Sequence, residues 1–173
     1  QLLRQGVRVA GEHTLTETEL AVAQTLDGLV LDFEAMAIAS NLFRAANAVR
    51  NHMERSVLAP HDLTWTAFVV LWVTWIWEPV ETRTIAAEGG FSKATLSGVL
   101  TTLEARGLVS RTKSKTDGRL VMVELTPAGR RLMKKLFPKF NSEEQFVVAN
   151  IKQSERREAA DMLRAICLAV KTT

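Results

Sequence analysis

The sequence predicts a mainly α-helical fold that contains one small β-hairpin. Apolar residues recur with the 3.6-residue period of amphipathic helices along most of the chain. Near the middle, two short apolar runs flank a loop containing Asp117-Gly118, a pair typical of hairpin turns. The chain has 173 residues, 47% of them hydrophobic and 24% charged, values typical of a globular protein with one core. We therefore expect residues 1–173 to form a single domain.

Three helices are expected in the first half of the chain. Thr16, followed by acidic residues, predicts the start of a short helix that stops near Gly28. Asp32 is predicted to cap a longer helix, and its apolar face is formed by Met36, Ala39, Leu42, Phe43, Ala46, Val49 and Met53. Asp62 or Thr64 can cap a third helix over residues 63–77, which Pro79 terminates.

Shorter elements follow from Thr82 onwards. A brief helix over residues 82–88 is closed by Gly89-Gly90, and the next helix is predicted to begin at Ser92 and to end at Gly107. Strands are expected at residues 108–112 and 120–125. Thr126-Pro127 then opens a long basic helix that Pro138 is predicted to kink, and a last amphipathic helix runs from Ser154 to about Val170. Two helices joined by a tight glycine turn and followed by a hairpin predict a winged helix-turn-helix.

The helix that begins at Ser92 is the candidate recognition helix. Opposite its leucine face lie small or hydroxyl-bearing residues, which allow a helix to enter the major groove of DNA. An ordinary amphipathic helix with a solvated polar face would show the same pattern. The candidate contacts on this helix are Ser92, Lys93, Thr95, Ser97 and Thr101.

A basic hairpin beside that helix favours DNA binding. Five cations, Arg106, Arg111, Lys113, Lys115 and Arg119, stand against one acid, Asp117. Such a hairpin is suited to contacts with phosphates and the minor groove. Taken alone, the run would be interpreted as a solvated charged turn. The preceding helices favour the DNA-binding interpretation.

Residues 82–130 resemble the MarR family of bacterial regulators. The matching segments are SKATLSGVLTTLEARGLVSR (92–111) and TDGRLVMVELTPAG (116–129). The resemblance covers roughly residues 33–170. It implies a winged helix-turn-helix over 58–125 and dimerisation helices over 13–57 and 126–173, while residues 1–31 form an extension found in part of the family.

The resemblance also implies roles for individual residues. Arg119 would enter the minor groove from the tip of the wing, and Asp117 would orient the wing by pairing with a nearby arginine. Many relatives have arginine where this chain has Gly98, which leaves open the base read at that position.

Four tryptophans, Trp65, Trp72, Trp75 and Trp77, fall on the third predicted helix. Packing in the core is the simpler interpretation of these side chains. In the MarR family, however, this helix borders a cavity for small aromatic effectors. We therefore expect a ligand site at Trp65, Phe68 and Trp72, with Arg44, Arg50 or His52 attracting a carboxylate or phenolate.

Other kinds of site are not predicted. The three histidines are scattered, without metal-ligand spacing, and no catalytic motif is present, so we expect no metal, no cofactor and no enzymatic activity. The single cysteine, Cys167, is interpreted as a buried small hydrophobic residue in a reducing compartment. The longest apolar run, residues 67–77, is shorter than the ~18 residues that span a bilayer, and a soluble cytoplasmic protein is expected.

The leading hypothesis is a homodimeric transcriptional regulator that binds a pseudo-palindromic operator in double-stranded DNA. The resemblance to the MarR family implies a repressor that a small aromatic ligand releases from its operator. Two alternatives remain open at this point: an architectural DNA-binding protein without an effector, and a winged helix that serves as a protein-interaction module.

Overall fold

The computed structural model describes residues 13–171 and confirms a mainly α-helical fold with a small antiparallel sheet. The helices of this part of the chain are α1 (Leu15–Thr25), α2 (Phe33–Met53), α3 (Trp65–Trp77), α4 (Thr82–Gly89), α5 (Lys93–Ala105), α6 (Pro127–Val147) and α7 (Arg156–Lys171). Its strands are β1 (Val80–Glu81), β2 (Val109–Lys113) and β3 (Val121–Leu125). Short π and 3-10 turns over residues 54–61 connect α2 to α3.

The chain divides into two compact units, Gln1–Ala48 and Val49–Thr173, with the boundary inside α2. In the first unit, Thr16 was predicted to cap α1, but the cap is Thr14. The Thr14 hydroxyl accepts from the backbone N–H of Glu17 at 3.1 Å, and the Glu17 carboxylate accepts from that of Thr14 at 2.7 Å. The spacing of the capping box does not distinguish the two threonines, because Glu19 lies three residues after Thr16 just as Glu17 lies three residues after Thr14.

Helix α2 begins as predicted. An oxygen of the Asp32 carboxylate accepts from the backbone N–H of Ala35 at 2.9 Å. Of the apolar face predicted for this helix, only Met53 is buried; the other residues are half-buried or exposed, and Phe43 is 72% exposed.

Helix α3 forms the centre of the core in the second unit. It begins at Trp65 because Thr64, rather than Asp62, is the cap, with its hydroxyl accepting from the backbone N–H of Ala67 at 3.1 Å. Asp62 instead takes a left-handed conformation with φ of 52° at the end of the preceding turn. The buried side chains of the helix are Phe68, Val70, Leu71, Val73 and Thr74.

The predicted helix-turn-helix is present. Gly90, at φ of 66°, closes α4, and Ser92 caps α5 as expected. The buried face of α5 consists of Leu96, Leu100 and Leu103. Strands β2 and β3 pair as predicted, each beginning one residue later than expected. The sequence did not predict β1, whose Val80 pairs with Val123 of β3, because a two-residue strand has no periodicity of its own.

Helix α6 packs directly on the end of the hairpin. Thr126 caps it, and a Cβ built on Gly129 would lie 2.0 Å from the carbonyl oxygen of Leu108. The helix continues through Pro138 to Val147.

The prediction that Cys167 is buried is wrong: the thiol residue is exposed on α7. Residues 156–170 of that helix include none that is buried. Four large apolar side chains of this helix are exposed in the single chain, as Cys167 is: Met162, Leu163, Leu168 and Val170.

No single helix among residues 13–171 is long and apolar enough to cross a bilayer. Only the bent pair Phe33–His61 and Trp65–Trp77 passes that test, by length and composition alone.

Candidate nucleic-acid interface

The exposed face of α5 contains all five residues that were predicted to contact the major groove. The Ser92 hydroxyl accepts from the backbone N–H of Thr95 at 3.1 Å and lies 2.8 Å from the Thr95 hydroxyl. One turn later, the Thr101 hydroxyl donates to the carbonyl of Ser97 at 3.0 Å. Because the leucines are buried on the opposite side, the structure groups these five residues on a single surface. They are Ser92, Lys93, Thr95, Ser97 and Thr101.

The hairpin formed by β2, β3 and their loop, residues 109–125, is the wing. Lys113 lies at the end of β2 opposite Val121, and Lys115 lies in the loop; both lysines are exposed. The Arg119 side chain is 91% exposed, and its Nε donates to Asp117 Oδ1 at 3.1 Å. Hydrogen bonds from the Arg119 side chain and backbone hold the pKa of Asp117 below its usual range. Asp117 therefore stays ionised and shapes the tip of the wing at neutral pH.

Arg111 is bound differently from the other cations of the wing. Its Nε and Nη2 donate to Glu104 Oε2 at 3.0 and 2.5 Å, and its backbone N–H donates to Glu104 Oε1 at 3.2 Å. Hydrogen bonding from the Arg111 side chain is the main reason that the pKa of Glu104 is lowered. Glu104 thus connects the last turn of α5 to the first strand of the wing. Sequence reasoning missed this role, although both residues lie in the segment 92–111 that carries the resemblance.

From the sequence, Arg106 was grouped with the basic hairpin, but in the structure this residue caps the C-terminal end of α5. Its guanidinium donates to the backbone carbonyls of Asp62 at 2.7 Å and of His61 at 2.9 Å. These bonds join the end of α5 to the turn before α3. Arg106 therefore fixes the position of the recognition helix.

A second ion pair positions the base of the wing. Glu78, just after α3, accepts from the backbone N–H of Leu125 at 2.8 Å and pairs with Arg130 of α6. Glu78 is thus bound to the last residue of β3 and to the first turns of α6. Neither partner was singled out from the sequence, because they are 52 residues apart.

A concave surface adjoins the recognition helix. A cavity of about 450 Å³ is lined by α4, α5 and the wing, and Lys93, Ser97 and Arg111 contribute to its wall. Part of the face predicted to contact DNA is therefore recessed.

The predicted aromatic ligand residues pack against α6. The ring of Phe68 stacks on Phe140 with centroids 4.2 Å apart, and Trp72 stacks on Phe137 at 4.5 Å. Trp65 lies beside this stacked pair, with its ring centroid 6.1 Å from that of Phe68 and 6.2 Å from that of Phe140. These contacts make the three rings part of the packing between α3 and α6.

The three cations predicted for that site differ in their surroundings. His52 Nε2 lies 2.6 Å from Glu143 Oε2, and its ring stacks on Phe146. Arg50 is exposed. Arg44 belongs to the first unit, where its Nη1 donates to Asn41 Oδ1 at 3.3 Å. Within residues 13–171, no group of three or more His, Cys, Asp or Glu side chains is arranged to hold a metal ion.

Comparison with known proteins identifies the family. The model of the MarR family matches residues 63–121. YwaE of Bacillus subtilis (strain 168), named as an uncharacterized HTH-type transcriptional regulator, is 37% identical over 143 residues, which cover 83% of this chain and 84% of YwaE.

Two solved structures show the same architecture. AbsC, a MarR family transcriptional regulator from Streptomyces coelicolor, superposes with a TM-score of 0.74 at 22% identity, covering 84% of this chain and 99% of AbsC. BpsR of Bordetella bronchiseptica, whose DNA binding is regulated by 6-hydroxynicotinic acid, gives a TM-score of 0.68 at 26% identity, covering 75% of this chain and 98% of BpsR. The chain belongs to the MarR family and is a DNA-binding transcriptional regulator of the helix-turn-helix type.

Proposed function

We propose that this regulator binds a pseudo-palindromic operator as a homodimer and represses transcription from it. In this proposal α5 enters the major groove, and the wing, through Arg119, Lys113 and Lys115, contacts phosphates and the minor groove. The observation that carries the proposal is the exposed face of α5 beside a wing whose Arg119 is 91% exposed. Residues 58–125 would then form the DNA-binding part. Since its target is chromosomal DNA, we place it in the cytoplasm, acting by binding rather than catalysis.

Exposed apolar side chains support the dimer. On α7 they include Met162, Leu163 and Val170, which are 58%, 51% and 73% exposed. In the first unit, Ile38 and Phe43 are 59% and 72% exposed. Large apolar side chains that are exposed in a single chain are typical of surfaces that a partner covers. We therefore assign residues 13–57 and 126–173 to dimerisation.

DNA binding is tested by titrating the purified protein with duplex containing its own upstream region, against random duplex of equal length. We expect the upstream duplex to bind at least 1,000-fold more tightly, within the usual range for specific recognition of about 10³–10⁷. Equal affinity for both duplexes would favour an architectural protein. The absence of binding even at low salt would favour a protein-interaction module.

The wing is tested through the salt dependence of binding. Each of Arg119→Ala and Lys113→Ala is expected to weaken binding to every sequence and to reduce the slope of log K against log salt by about 0.9 for each phosphate that the variant no longer neutralises. Lys152→Ala, which removes an exposed positive charge outside residues 58–125, is the control for a general change of surface charge. Unchanged slopes for both wing variants would remove the wing from the interface.

We further propose that a small aromatic acid or phenol releases the operator by binding against Trp65, Phe68 and Trp72. The regulation of BpsR by 6-hydroxynicotinic acid supports this ligand class. The rings lie between α3 and α6, so a ligand inserted there would displace two helices that position the wing. A hundredfold release of DNA requires about 2.7 kcal/mol of coupling, which lies within the common allosteric range.

The effector is tested by tryptophan fluorescence followed by a DNA-release assay with the same compounds. We expect aromatic acids that quench the fluorescence to release the operator, and Trp72→Phe to weaken both effects. Compounds that quench without changing operator affinity would leave the aromatic rings with a purely structural role.

A further inference from the structure

The recognition helix α5 has an unusual set of hydrogen-bond donors. Within Lys93–Ala105 there is one cation, Lys93, and no arginine, asparagine or glutamine. Arginine makes paired hydrogen bonds to guanine, and asparagine and glutamine make them to adenine. Apart from Lys93, which can also donate to guanine, the side chains of α5 therefore offer no such paired contact to any base.

The hydroxyl groups of the helix are largely engaged by the helix itself. Thr101 donates its proton to the carbonyl of Ser97 at 3.0 Å, and Thr102 donates to the carbonyl of Gly98 at 3.2 Å. With its proton used in this way, exposed Thr101 offers DNA a methyl group and oxygen lone pairs. Exposed Ala94 contributes another methyl group on the same helix.

Gly98 lies among these exposed residues and leaves open space above the helix. A Cβ built at this position would meet no heavy atom within 4 Å, and its backbone does not have a positive φ. A side chain is therefore sterically permitted at position 98, and its absence brings the backbone of α5 closer to any surface that the helix contacts.

We propose that α5 recognises thymine methyl groups in each half-site and reads a single guanine through Lys93. This inference rests on the proposed function, in which α5 enters the major groove. Thymine presents the only methyl group in that groove, and it is matched by apolar contacts from alanine and the threonine methyl. Lysine donates to the O6 and N7 acceptors of guanine. The operator is therefore A·T-rich beneath α5, apart from one G·C pair.

In the first experiment, tight-binding duplexes are selected from a random pool, and single functional groups of the selected bases are then removed. Replacing a contacted thymine with uracil removes one methyl group and is expected to weaken binding about fourfold, the usual effect of one buried methylene. Thr101→Ser keeps the hydroxyl and loses the methyl, so it is expected to abolish the effect of uracil at one position. Uracil outside the protected half-sites is the control and is expected to have no effect.

Lys93 is tested in the same way. Replacing the selected guanine with 7-deazaguanine removes its N7 acceptor and is expected to weaken binding by the wild-type protein. Lys93→Met is expected to bind both duplexes equally, because the donor is gone.

Gly98→Arg provides a gain-of-function test. Because a Cβ at this position meets no heavy atom within 4 Å, we expect the arginine side chain to be tolerated and its guanidinium to add a preference of about tenfold or more for guanine at one further position. Gly98→Ala, which adds no donor, is the matched control and is expected to add no guanine preference.

Wild-type half-sites that require two or more guanines, and that tolerate uracil at every thymine, would overturn the inference. Loss of all sequence preference, or of duplex binding, would instead reject the proposed function, and the inference would fail with it.

Discussion

At the scale of single residues, Glu104 is central because one carboxylate joins two elements. It accepts hydrogen bonds from both the side chain and the backbone of Arg111. These bonds connect the last turn of α5 to β2 and restrain the position of one relative to the other. Bonds of this kind between charged groups are shorter and stronger than neutral ones. The angle at which the wing leaves the recognition helix depends on this pair.

We predict that Glu104→Gln lowers the ratio of operator affinity to random-duplex affinity several-fold. The amide removes the charge that binds Arg111, so the guanidinium becomes available to any phosphate while the wing loses its fixed angle. The ratio is measured by titrating labelled duplexes. Glu124→Gln on β3 is the control, since Glu124 is exposed and makes no ion pair within the described residues. An equal fall in both variants would contradict a specific role for the pair.

The lowered pKa of Glu104 predicts how stability depends on pH. A carboxylate whose pKa is lower in the folded state stabilises the fold above its unfolded pKa of about 4.3, and that contribution is lost as the pH falls through the lowered value. Wild type and Glu104→Gln should therefore differ in thermal unfolding midpoint by a constant amount between pH 6 and 8. The difference should shrink below about pH 4. A difference that widens on acidification would contradict the assignment.

At the scale of elements, the contact between α6 and the hairpin depends on the absence of a side chain. Gly129 faces the carbonyl oxygen of Leu108 so closely that a Cβ would lie 2.0 Å from it. The backbone would have to shift to admit any other residue, and the first turn of α6 would move away from the base of the wing.

Two glycine-to-alanine changes test this contact. Gly129→Ala is expected to destabilise the protein by about 1–3 kcal/mol, the usual effect of overpacking. Gly98→Ala, in open space on α5, is expected to stabilise it by up to about 1 kcal/mol, because alanine favours a helix over glycine. Urea denaturation measures both. A stable Gly129→Ala variant would show that α6 can move without cost.

At the scale of the whole molecule, the terminal helix α7 has an apolar face without a buried residue in the single chain. We predict a dimer at micromolar concentration, with two protected half-sites centred about 34 Å apart, one turn of DNA. Sedimentation measures the mass, and footprinting measures the spacing.

The matched variants for the dimer are Leu163→Glu and Ser154→Glu. Leu163 is 51% exposed on α7, and its replacement by a charge is expected to shift the protein toward monomer. Ser154 is an exposed polar residue before that helix, and its variant is expected to stay dimeric. A wild-type monomer that binds DNA with full affinity would refute the prediction.

Much of the fold follows from short-range signals in the sequence. Ser92 and Thr126 cap their helices as predicted, because each cap is a hydrogen bond to a backbone N–H three residues later. The glycine at the end of α4 and the hairpin turn are equally local. The wing and its cations could be located for the same reason, since their positions depend on pairing between neighbouring strands.

The fold determines how far each candidate cation is exposed. Arg111 is held by Glu104 and Arg106 by the turn before α3, whereas the Arg119 side chain is 91% exposed on the wing although it pairs with Asp117. The fold also determines that β1 joins the sheet and that Cys167 is exposed. The helices, the hairpin of β2 and β3, and the family follow from the sequence alone. The partner of each charge depends on which side chains the fold brings together. Arg111 pairs with Glu104 seven residues away, whereas Arg106 binds carbonyls 44 and 45 residues away, and no local pattern predicts either partner.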